Sequence, residues 1–488
     1  MRKIAAVLLI FVVSLCFSSC DVFNSNNPDH THTPSEWIID REVTLEEEGK
    51  KHKECIHCGE FLESETVPVS TYGSEGLEYE FNERKDGYVV TSIGTCKDKD
   101  IVIPEIYNGL PVTNIGEHAF DRCVNMETVR IPNTVKTIEK YAFYFCTNLK
   151  ALDLPESVIT VEEAAFCGCV KIKEVNLLKN VREFWTTAFE VCNSLERINV
   201  DKDNPYLKSI DGNLYTKDGK WFIQYAHGKK EERFVVPDSV EKISEGAFAF
   251  NCDYTEDIKK EDMPTLKEIV LPNSVTVIGN EAFLGLASLE RINIPSSVTT
   301  IGAYAFTGCK LLSSISLPKS VTEIGYSAFT YCDSLKFNEY CDVCYLGNEE
   351  NPYFALIYPM FMYSSEFEIN PQTNIIATAA FAECSYLTDI NIPDSVTVIG
   401  HSAFAYCFSL ENLTIGKNVK TIGPYAFDSC VSLTEVFIPK SVKNIGEYAF
   451  NGCDAVQFYC EVYSQPSGWN VYWNPSFSRP VWGYTKEE

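Results

Sequence analysis

An Ala-Phe pair recurs along the chain, and over most of its length successive pairs are 23 residues apart. The phenylalanines of the twelve pairs are Phe120, Phe143, Phe166, Phe189, Phe248, Phe283, Phe306, Phe329, Phe381, Phe404, Phe427 and Phe450. A fixed period of this kind is typical of solenoid proteins, in which each unit leaves an apolar face open and the next unit covers it. The chain has 488 residues, which is also more than one ordinary hydrophobic core accommodates.

Residues 312–335 show the pattern of one copy. Ile315 and Leu317 alternate with a polar serine, which predicts a short half-buried strand. Pro318 ends that strand because it cannot donate a backbone hydrogen bond. A second inward-facing segment follows, and we interpret Gly325 as the residue that lets the backbone turn sharply.

The spacing of apolar residues at the end of each copy predicts a short helical turn. In the same copy Ala328, Cys332 and Leu335 have the spacing of one helix face. We therefore predict a repeat solenoid of 23-residue coils, each with a short parallel strand and a short helical turn. The coils would stack at about the spacing of paired strands, ~4.8 Å.

The repeated phrase resembles the BspA-like leucine-rich repeat of bacterial surface proteins. Residues 387–407 contain it whole, as LTDINIPDSVTVIGHSAFAYC, and similar phrases extend over about residues 77–484. Leu178 and Gly416 replace the usual proline, and Leu286 replaces the usual cysteine. The resemblance implies a leucine-rich-repeat-like fold, display on the cell surface, and adhesion to host matrix or plasma proteins or to other microbes.

Eleven cysteines follow the repeated phenylalanine at one phase of the repeat. They are Cys123, Cys146, Cys169, Cys192, Cys252, Cys309, Cys332, Cys384, Cys407, Cys430 and Cys453. A catalytic cysteine needs a unique activated environment, and eleven equivalent copies are not unique. Leu286 occupies the position in the twelfth copy, and His401, near Cys407, falls at a variable position. We interpret these cysteines as small buried apolar residues with free thiols.

The repeat also divides the chain into segments. We predict a lipoprotein-type signal peptide at 1–20, a linker and small β-rich Cys/His module at 21–71, a solenoid at 77–457 with insertions at 201–233 and 338–372, and an aromatic-rich cap at 458–488. Asp211-Gly212 and Asp218-Gly219 are turn dipeptides between β-rich residues, which predicts a β-hairpin in the first insertion. We expect another hairpin in the second insertion.

Three tryptophans, Trp469, Trp473 and Trp482, lie among prolines after the last Ala-Phe pair. The last coil of a solenoid needs a cover over its open apolar face, and an aromatic-rich segment can supply one. The alternative is an exposed aromatic platform that binds carbohydrate.

The N-terminal residues have the pattern of a targeting segment. Arg2 and Lys3 precede the short apolar run Ile4–Val13, which is too short to span a bilayer comfortably. Small residues before Cys20 resemble a bacterial lipobox, which implies that Cys20 is lipidated and becomes the mature N-terminus. The alternative is an ordinary signal peptide with a chance cysteine.

The Cys/His module contains Cys55-x-x-Cys58 followed by glycine, a spacing at which two thiolates can bind one metal ion. We predict a structural zinc ion bound by Cys55, Cys58, His30 and His32. A Cys55–Cys58 disulfide and unligated thiols are the alternatives. The module resembles one found beside repeats in gut-bacterial surface proteins, where a cysteine often stands in place of Leu45.

A similar spacing, Cys341-x-x-Cys344, is a weaker metal signal because no glycine follows it and no histidine is near.

The chain contains no phosphate-binding loop, nucleophile elbow, zinc-protease or dinucleotide motif, so we predict that it is not an enzyme. The net charge of -27 argues against nucleic-acid partners and against electrostatic docking on anionic membranes.

The residue between the two apolar residues of each predicted strand should point outward. In successive copies this residue is polar or charged, so the row is a candidate binding surface. The candidates are Arg130, Asp153, Asn176, Asn199, Asn293 and Asn391. Plain solvent exposure is the alternative. A second row, Tyr141, Tyr304, Tyr425 and Tyr448, suits either an interface or packing between coils.

These patterns favour an exported, lipid-anchored cell-surface or outer-envelope protein that mediates protein–protein interaction through its repeats. The expected partners are extracellular proteins or glycoproteins of a host or of other microbes, and the N-terminal lipid is the expected membrane attachment. The alternative is a structural or scaffolding envelope protein that binds the organism's own surface components.

Overall fold

The computed structural model describes residues 32–41, 47–69, 72–250, 264–475 and 479–485, in two compact units, Met1–Val69 and Ser70–Glu488. The predicted signal peptide with Cys20, the predicted ligand His30 and the repeat cysteine Cys252 lie outside the described residues. No helix within the described ranges is long and apolar enough to cross a membrane.

The N-terminal unit is a three-stranded antiparallel sheet. Its strands are β1 (Ile38–Arg41), β2 (Gly49–Glu54) and β3 (Phe61–Val67), with β2 in the middle. Of the residues that the structure describes in this unit, only Gly49 and Cys55 are buried. The sheet therefore has almost no hydrophobic core.

The second unit is a solenoid with two rows of strands, and most coils contribute one strand to each row. The long-strand row contains β6 (Asp100–Val102), β9 (Thr128–Arg130), β11 (Ala151–Asp153), β13 (Glu174–Leu177), β15 (Arg197–Val200), β19 (Arg233–Val235), β21 (Glu268–Val270), β23 (Arg291–Ile292), β29 (Glu366–Glu368), β31 (Asp389–Asn391), β33 (Asn412–Thr414), β35 (Glu435–Ile438), β37 (Gln457–Cys460) and β38 (Val481–Trp482). The short-strand row contains β8 (Leu110–Ile115), β10 (Thr137–Ile138), β12 (Thr160–Val161), β14 (Glu183–Phe184), β20 (Lys242–Ile243), β22 (Val277–Ile278), β24 (Thr300–Ile301), β25 (Glu323–Ile324), β30 (Ile375–Ile376), β32 (Val398–Ile399), β34 (Thr421–Ile422) and β36 (Asn444–Ile445). Equivalent strands of neighbouring coils pair in parallel, as Leu152 does with Val175. The strand predicted at Ile315 and Leu317 is wrong, because the coil of residues 312–335 has none in the long-strand row; Leu317 N–H donates instead to the carbonyl oxygen of Gly347 in the second insertion at 2.8 Å.

The remaining strands form antiparallel excursions from the short-strand row. They are β4 (Glu78–Phe81), β5 (Tyr88–Ser92), β7 (Ile106–Tyr107), β16 (Leu207–Ile210), β17 (Asn213–Thr216), β18 (Trp221–Gln224), β26 (Asn338–Tyr340), β27 (Val343–Leu346) and β28 (Ala355–Pro359). In both insertions three antiparallel strands end with one that pairs in parallel with the next coil. Asp211 and Gly212 both have positive φ, as the two-residue turn between β16 and β17 requires.

The predicted helical turn is wrong. In the coil of Phe404, Ser402 and Tyr406 have φ of 51° and 63°, which no helix allows. The N–H groups of Ser402, Phe404 and Tyr406 donate to carbonyl groups of the next coil at 2.9, 2.7 and 2.8 Å. In a helix these N–H groups would donate to carbonyl groups of the same coil. Because they donate to the next coil instead, the segment forms successive tight turns. Within the described ranges the repeats contain no helix except the three-residue 3-10 helix His227–Lys229.

The glycine after the short strand serves close packing rather than the sharp turn that the sequence indicated. Gly325 does not have a left-handed φ, and a Cβ on it would lie 2.2 Å from the backbone nitrogen of Ala303. Gly400 and Gly423 are crowded in the same way by the backbone of the preceding coil. In the copies that have glycine here, neighbouring coils thus approach backbone to backbone.

The repeated phenylalanines form the centre of the core. Phe404 and Phe427 stack with ring centroids 5.2 Å apart and nearly parallel planes, and equivalent pairs recur along the array. Phe222 takes the place of a repeat phenylalanine at the first insertion, since it stacks on Phe248 at 4.6 Å.

The repeat cysteines line this core as free thiols, and apart from the half-buried Cys123 the described ones are buried. Cys407 Sγ donates to the carbonyl oxygen of Phe381 in the preceding coil at 3.2 Å, and seven other cysteines make the same bond. Burial raises the pKa of the Cys407 thiol. The side chain is thus a core residue that also hydrogen-bonds its neighbour.

Two of the C-terminal tryptophans belong to the core of the last coils. Trp469 and Trp473 are buried, and Trp469 Nε1 donates to the carbonyl oxygen of Val442 at 3.2 Å. Trp473 packs against Phe458 with ring centroids 4.8 Å apart. These rings are therefore not free to form an exposed carbohydrate platform.

Candidate binding surface and candidate metal site

The first four residues of the predicted polar row lie side by side. Arg130, Asp153, Asn176 and Asn199 occupy equivalent positions in β9, β11, β13 and β15, and each is exposed or half-buried. Asn199 Nδ2 donates to Asn176 Oδ1 at 3.0 Å. These four side chains form a continuous ladder on the outward face of one five-stranded sheet.

The other two residues of that row do not join the ladder. Asn391 lies in β31, which belongs to a different sheet. Asn293 uses both ends of its amide on the backbone of Leu271, accepting from its N–H and donating to its carbonyl oxygen at 2.8 Å each. Asn293 therefore has a structural partner, and the six residues do not make one surface.

The tyrosine row packs between coils. Tyr425 and Tyr448 lie with ring centroids 5.4 Å apart, and Tyr448 continues to Tyr472 at 6.0 Å. Tyr141 stacks on His118 at 4.9 Å. Ring-to-ring packing along the solenoid is thus the main contact of these side chains.

A different surface, which the sequence analysis did not single out, carries exposed large apolar side chains on adjacent coils. We call it the aromatic patch, and it comprises Met360, Phe361, Met362, Tyr363, Tyr386, Tyr406, Phe408 and Val431. Tyr363 is 83% exposed and Tyr386 is 60% exposed. Exposure of this many large apolar groups together is unusual for a solvated surface.

The repeat brings the patch together. Tyr363 and Tyr386 hold the same coil position, 23 residues apart, and their ring centroids are 5.9 Å apart. Phe408 and Val431 share another coil position, and Tyr406 lies 6.0 Å from Phe408. Tyr386, Tyr406, Phe408 and Val431 lie within two residues of a repeat cysteine, at positions that the repeat does not fix. The sequence signal for the patch is the presence of aromatic residues at coil positions that vary between copies.

A candidate metal site lies in the N-terminal unit, at the turn between β2 and β3. The backbone N–H of Gly59 donates to the carbonyl oxygen of Cys55 at 2.8 Å, which closes the turn. The segment that carries His32 is fixed beside it, because Ile56 N–H donates to the carbonyl oxygen of Thr33 at 3.0 Å. The Cys-x-x-Cys turn and His32 therefore meet.

Ligand atoms of His32, Cys55 and Cys58 lie within 4.8 Å of one another. Cys58 Sγ is 3.5 Å from His32 Nδ1, and the other ring nitrogen, Nε2, is 3.4 Å from Glu60 Oε2. Another histidine of the module, His52, pairs instead with Asp40 at 2.6 Å. Glu60 is a residue that the sequence pattern did not indicate; in the fold its Oε2 lies 3.4 Å from His32 Nε2 and 4.0 Å from Cys58 Sγ.

The two sulfur atoms differ in charge state. Burial raises the pKa of the Cys55 thiol, but backbone N–H groups of the surrounding turn and the His32 side chain outweigh it and lower the pKa to about 5. The backbone of Glu60 lowers the pKa of Cys58, but burial and the neighbouring Cys55 sulfur outweigh it and raise the pKa. The lowered pKa favours the thiolate form of Cys55, which is the form that binds metals.

Comparison with known protein families identifies the repeat. The profile described as BspA type leucine rich repeat region matches residues 96–217, 260–345 and 360–463, in six copies. These segments make up more than half of the chain. The chain belongs to the BspA-type leucine-rich repeat family. Membership of this family indicates a bacterial surface protein that acts through protein–protein interaction, and such solenoids are typically binding proteins rather than enzymes.

Solved bacterial leucine-rich repeat proteins are similar to this BspA-type chain. One from Eubacterium ventriosum is 20% identical with a TM-score of 0.39, over 81% of this chain and 95% of that protein. A leucine rich cell surface protein from Faecalibacterium prausnitzii is 24% identical with a TM-score of 0.33, over 84% and 94%. The pneumococcal vaccine antigen PcpA is 16% identical with a TM-score of 0.37, over 85% and 98%. No curated protein matches the chain.

Proposed function

We propose that this protein is a lipid-anchored adhesin of the cell surface, whose solenoid binds extracellular proteins or glycoproteins of a host or of other microbes through the aromatic patch. The observation that carries the proposal is the exposure of eight large apolar side chains on adjacent coils. Tyrosine, methionine and phenylalanine are enriched at protein interfaces, and exposed clusters of them mark binding sites.

The patch suits a protein partner because of the shape of its side chains. Tyr363 and Tyr386 offer rigid rings whose burial costs little conformational entropy, as binding hot spots require. Met360 and Met362 offer flexible side chains that adapt to a partner surface. The strongly negative chain favours a partner whose contact region is neutral or basic.

A binding screen tests the proposal. The purified protein is applied to immobilised matrix proteins, mucins and intact bacterial cells, beside the double variant Tyr363→Ser/Tyr386→Ser. We expect saturable binding by the natural chain and at least a tenfold loss of affinity in the variant, because two anchors of about 1 kcal/mol or more each are removed. The matched control is Tyr206→Ser/Tyr463→Ser, which removes exposed tyrosines outside the patch.

Absence of saturable binding to all three kinds of target would refute adhesion, and equal losses in both double variants would refute the role of the patch. The lipid anchor is tested separately, by fatty-acid labelling of cells that express the natural chain or Cys20→Ser. Protease treatment of intact cells then distinguishes a displayed adhesin, which is cleaved, from an envelope scaffold that faces inward, which is protected.

A further inference from the structure

The N-terminal sheet needs a source of stability that its side chains do not supply. Ile38, Ile39 and Phe61 are exposed, and Cys55 is the only buried apolar side chain that the structure describes between residues 32 and 69. A three-stranded sheet without an apolar core is marginal in water, and domains of this size usually add a disulfide or a metal.

Its surface interactions are too weak to replace a core. Lys51 and Lys53 lie over the Trp37 ring, with their Nζ atoms 4.4 and 4.5 Å from its centroid. The same lysines pair with Glu65 at 3.1 Å and Glu63 at 2.9 Å across β2 and β3. Exposed pairs of this kind typically contribute about 1 kcal/mol or less each.

One pair of the converging ligand atoms has the separation that a tetrahedral zinc ion requires, and the third atom lies close to both. Zinc bonds of about 2.3 Å to sulfur and about 2.0–2.1 Å to nitrogen place a sulfur and a nitrogen ligand roughly 3.5 Å apart. Cys58 Sγ and His32 Nδ1 are 3.5 Å apart, and the whole set lies within 4.8 Å. Two sulfur atoms and an imidazole favour zinc over magnesium or calcium, which prefer oxygen.

Glu60 supplies an independent sign of a metal site. A histidine that binds metal through one ring nitrogen typically donates its other N–H to a carboxylate, which fixes the tautomer and orients the ring. In His32, Nδ1 lies 3.5 Å from Cys58 Sγ while Nε2 lies 3.4 Å from Glu60 Oε2. A proton on Nε2, facing this carboxylate, leaves the lone pair of Nδ1 toward the sulfur atom.

We propose that His32 Nδ1, Cys55 Sγ and Cys58 Sγ bind one structural zinc ion, that Glu60 orients His32, and that this ion is the core of the N-terminal module. The fourth position is left to solvent. Metal binding releases to solvent any proton that the ligand thiols hold, and it ties the segment around His32 to the β2–β3 turn. Folding of the module is then linked to metal.

The test uses the purified full-length protein, stripped with a chelator under reducing conditions and titrated with Zn²⁺ or Co²⁺ alone. We expect one equivalent of metal, and with Co²⁺ the absorption of two thiolate ligands. Cys55→Ser is expected to abolish stoichiometric binding. Glu60→Gln keeps all three ligands and is expected to weaken affinity about 10- to 100-fold. Cys341→Ser, in the second Cys-x-x-Cys of the chain, is the matched control and is expected to bind as the natural chain does.

Limited proteolysis provides a second measurement that does not depend on any variant. Cleavage between residues 32 and 69 is expected to accelerate when metal is removed and to return to its original rate with Zn²⁺. Less than one equivalent of bound metal would overturn the proposal. Mass spectrometry would then show whether Cys55 and Cys58 are free thiols or a disulfide, which has two fewer hydrogen atoms. Unchanged affinity in Glu60→Gln would overturn the role of Glu60.

Discussion

His227 is a buried titratable residue whose environment makes the stability of the solenoid depend on pH. It lies at the first position of the 3-10 helix His227–Lys229 and is 5% exposed. Its ring meets Tyr225 and Phe250 edge-on, with centroids 5.3 Å away in each case. Neither ring nitrogen has a hydrogen bond of normal geometry among the described residues.

The expected effect follows from the pKa. Burial lowers the pKa of His227 to about 4, against a smaller opposing effect of the Ala249 backbone. In the unfolded chain the pKa is about 6.5, so the unfolded state binds a proton first as the pH falls. The free energy of unfolding therefore decreases between pH 6.5 and 4. At pH 5 the loss is about 2 kcal/mol, or roughly a 30-fold rise in the opening equilibrium.

The assay compares the natural chain with His227→Phe at pH 7 and pH 5. Because long arrays of repeats need not unfold in one step, the quantity measured is the local opening free energy from hydrogen exchange in β18 and β20. We expect the variant to lose about 2 kcal/mol less than the natural chain over this interval. The exposed His118 supplies a control, His118→Phe, that retains the full dependence. An identical pH dependence in His227→Phe would refute the reasoning.

Three further substitutions test the packing of the coils. Cys407→Ala should lower the local opening free energy, measured by hydrogen exchange in β32 and β34, by about 1 kcal/mol and leave ligand binding intact, because it removes one buried sulfur atom. Gly423→Ala should cost about 1–3 kcal/mol by the same measurement in β34 and β36, since its Cβ would lie 2.7 Å from backbone atoms of Gly400. Trp469→Ala should cost about 3–5 kcal/mol. That loss should appear as faster hydrogen exchange in β36 and β37, and exchange unchanged there would contradict a capping role.

The repeat fold could be predicted because its core positions recur. Phe404 is buried, as its 23-residue spacing predicted. The leucine at position 286 indicated that the cysteine position belongs to the core, and Leu286 is indeed buried. The helical turn could not be predicted, because the donors that would make it are used between coils. The i, i+4 spacing of Ala328 and Cys332 is compatible with both structures, and only the inter-coil hydrogen bonds decide between them.

The candidate sites show a similar division. The spacing of Cys55 and Cys58 and the presence of His32 in the same small module indicated one cluster, which the structure contains, whereas the predicted His30 lies outside the described residues. Glu60 could not be found in this way, because its role depends on which ring nitrogen of His32 faces it. The aromatic patch was not predicted because its residues lie at variable positions of the coil and Tyr363 lies within the predicted insertion 338–372, so the repeat pattern did not show that these side chains are exposed together.

Photo-crosslinking at the aromatic patch tests the central claim most directly. A benzophenone amino acid is placed at Tyr386 of the displayed protein, and at Tyr206 and Tyr463 in control versions, before exposure to matrix, mucin or bacterial cells. The account predicts one saturable covalent adduct with an extracellular protein from the Tyr386 probe, competed by unlabelled natural protein and absent from both controls. Adducts formed equally at all three positions, or none at Tyr386, would contradict it.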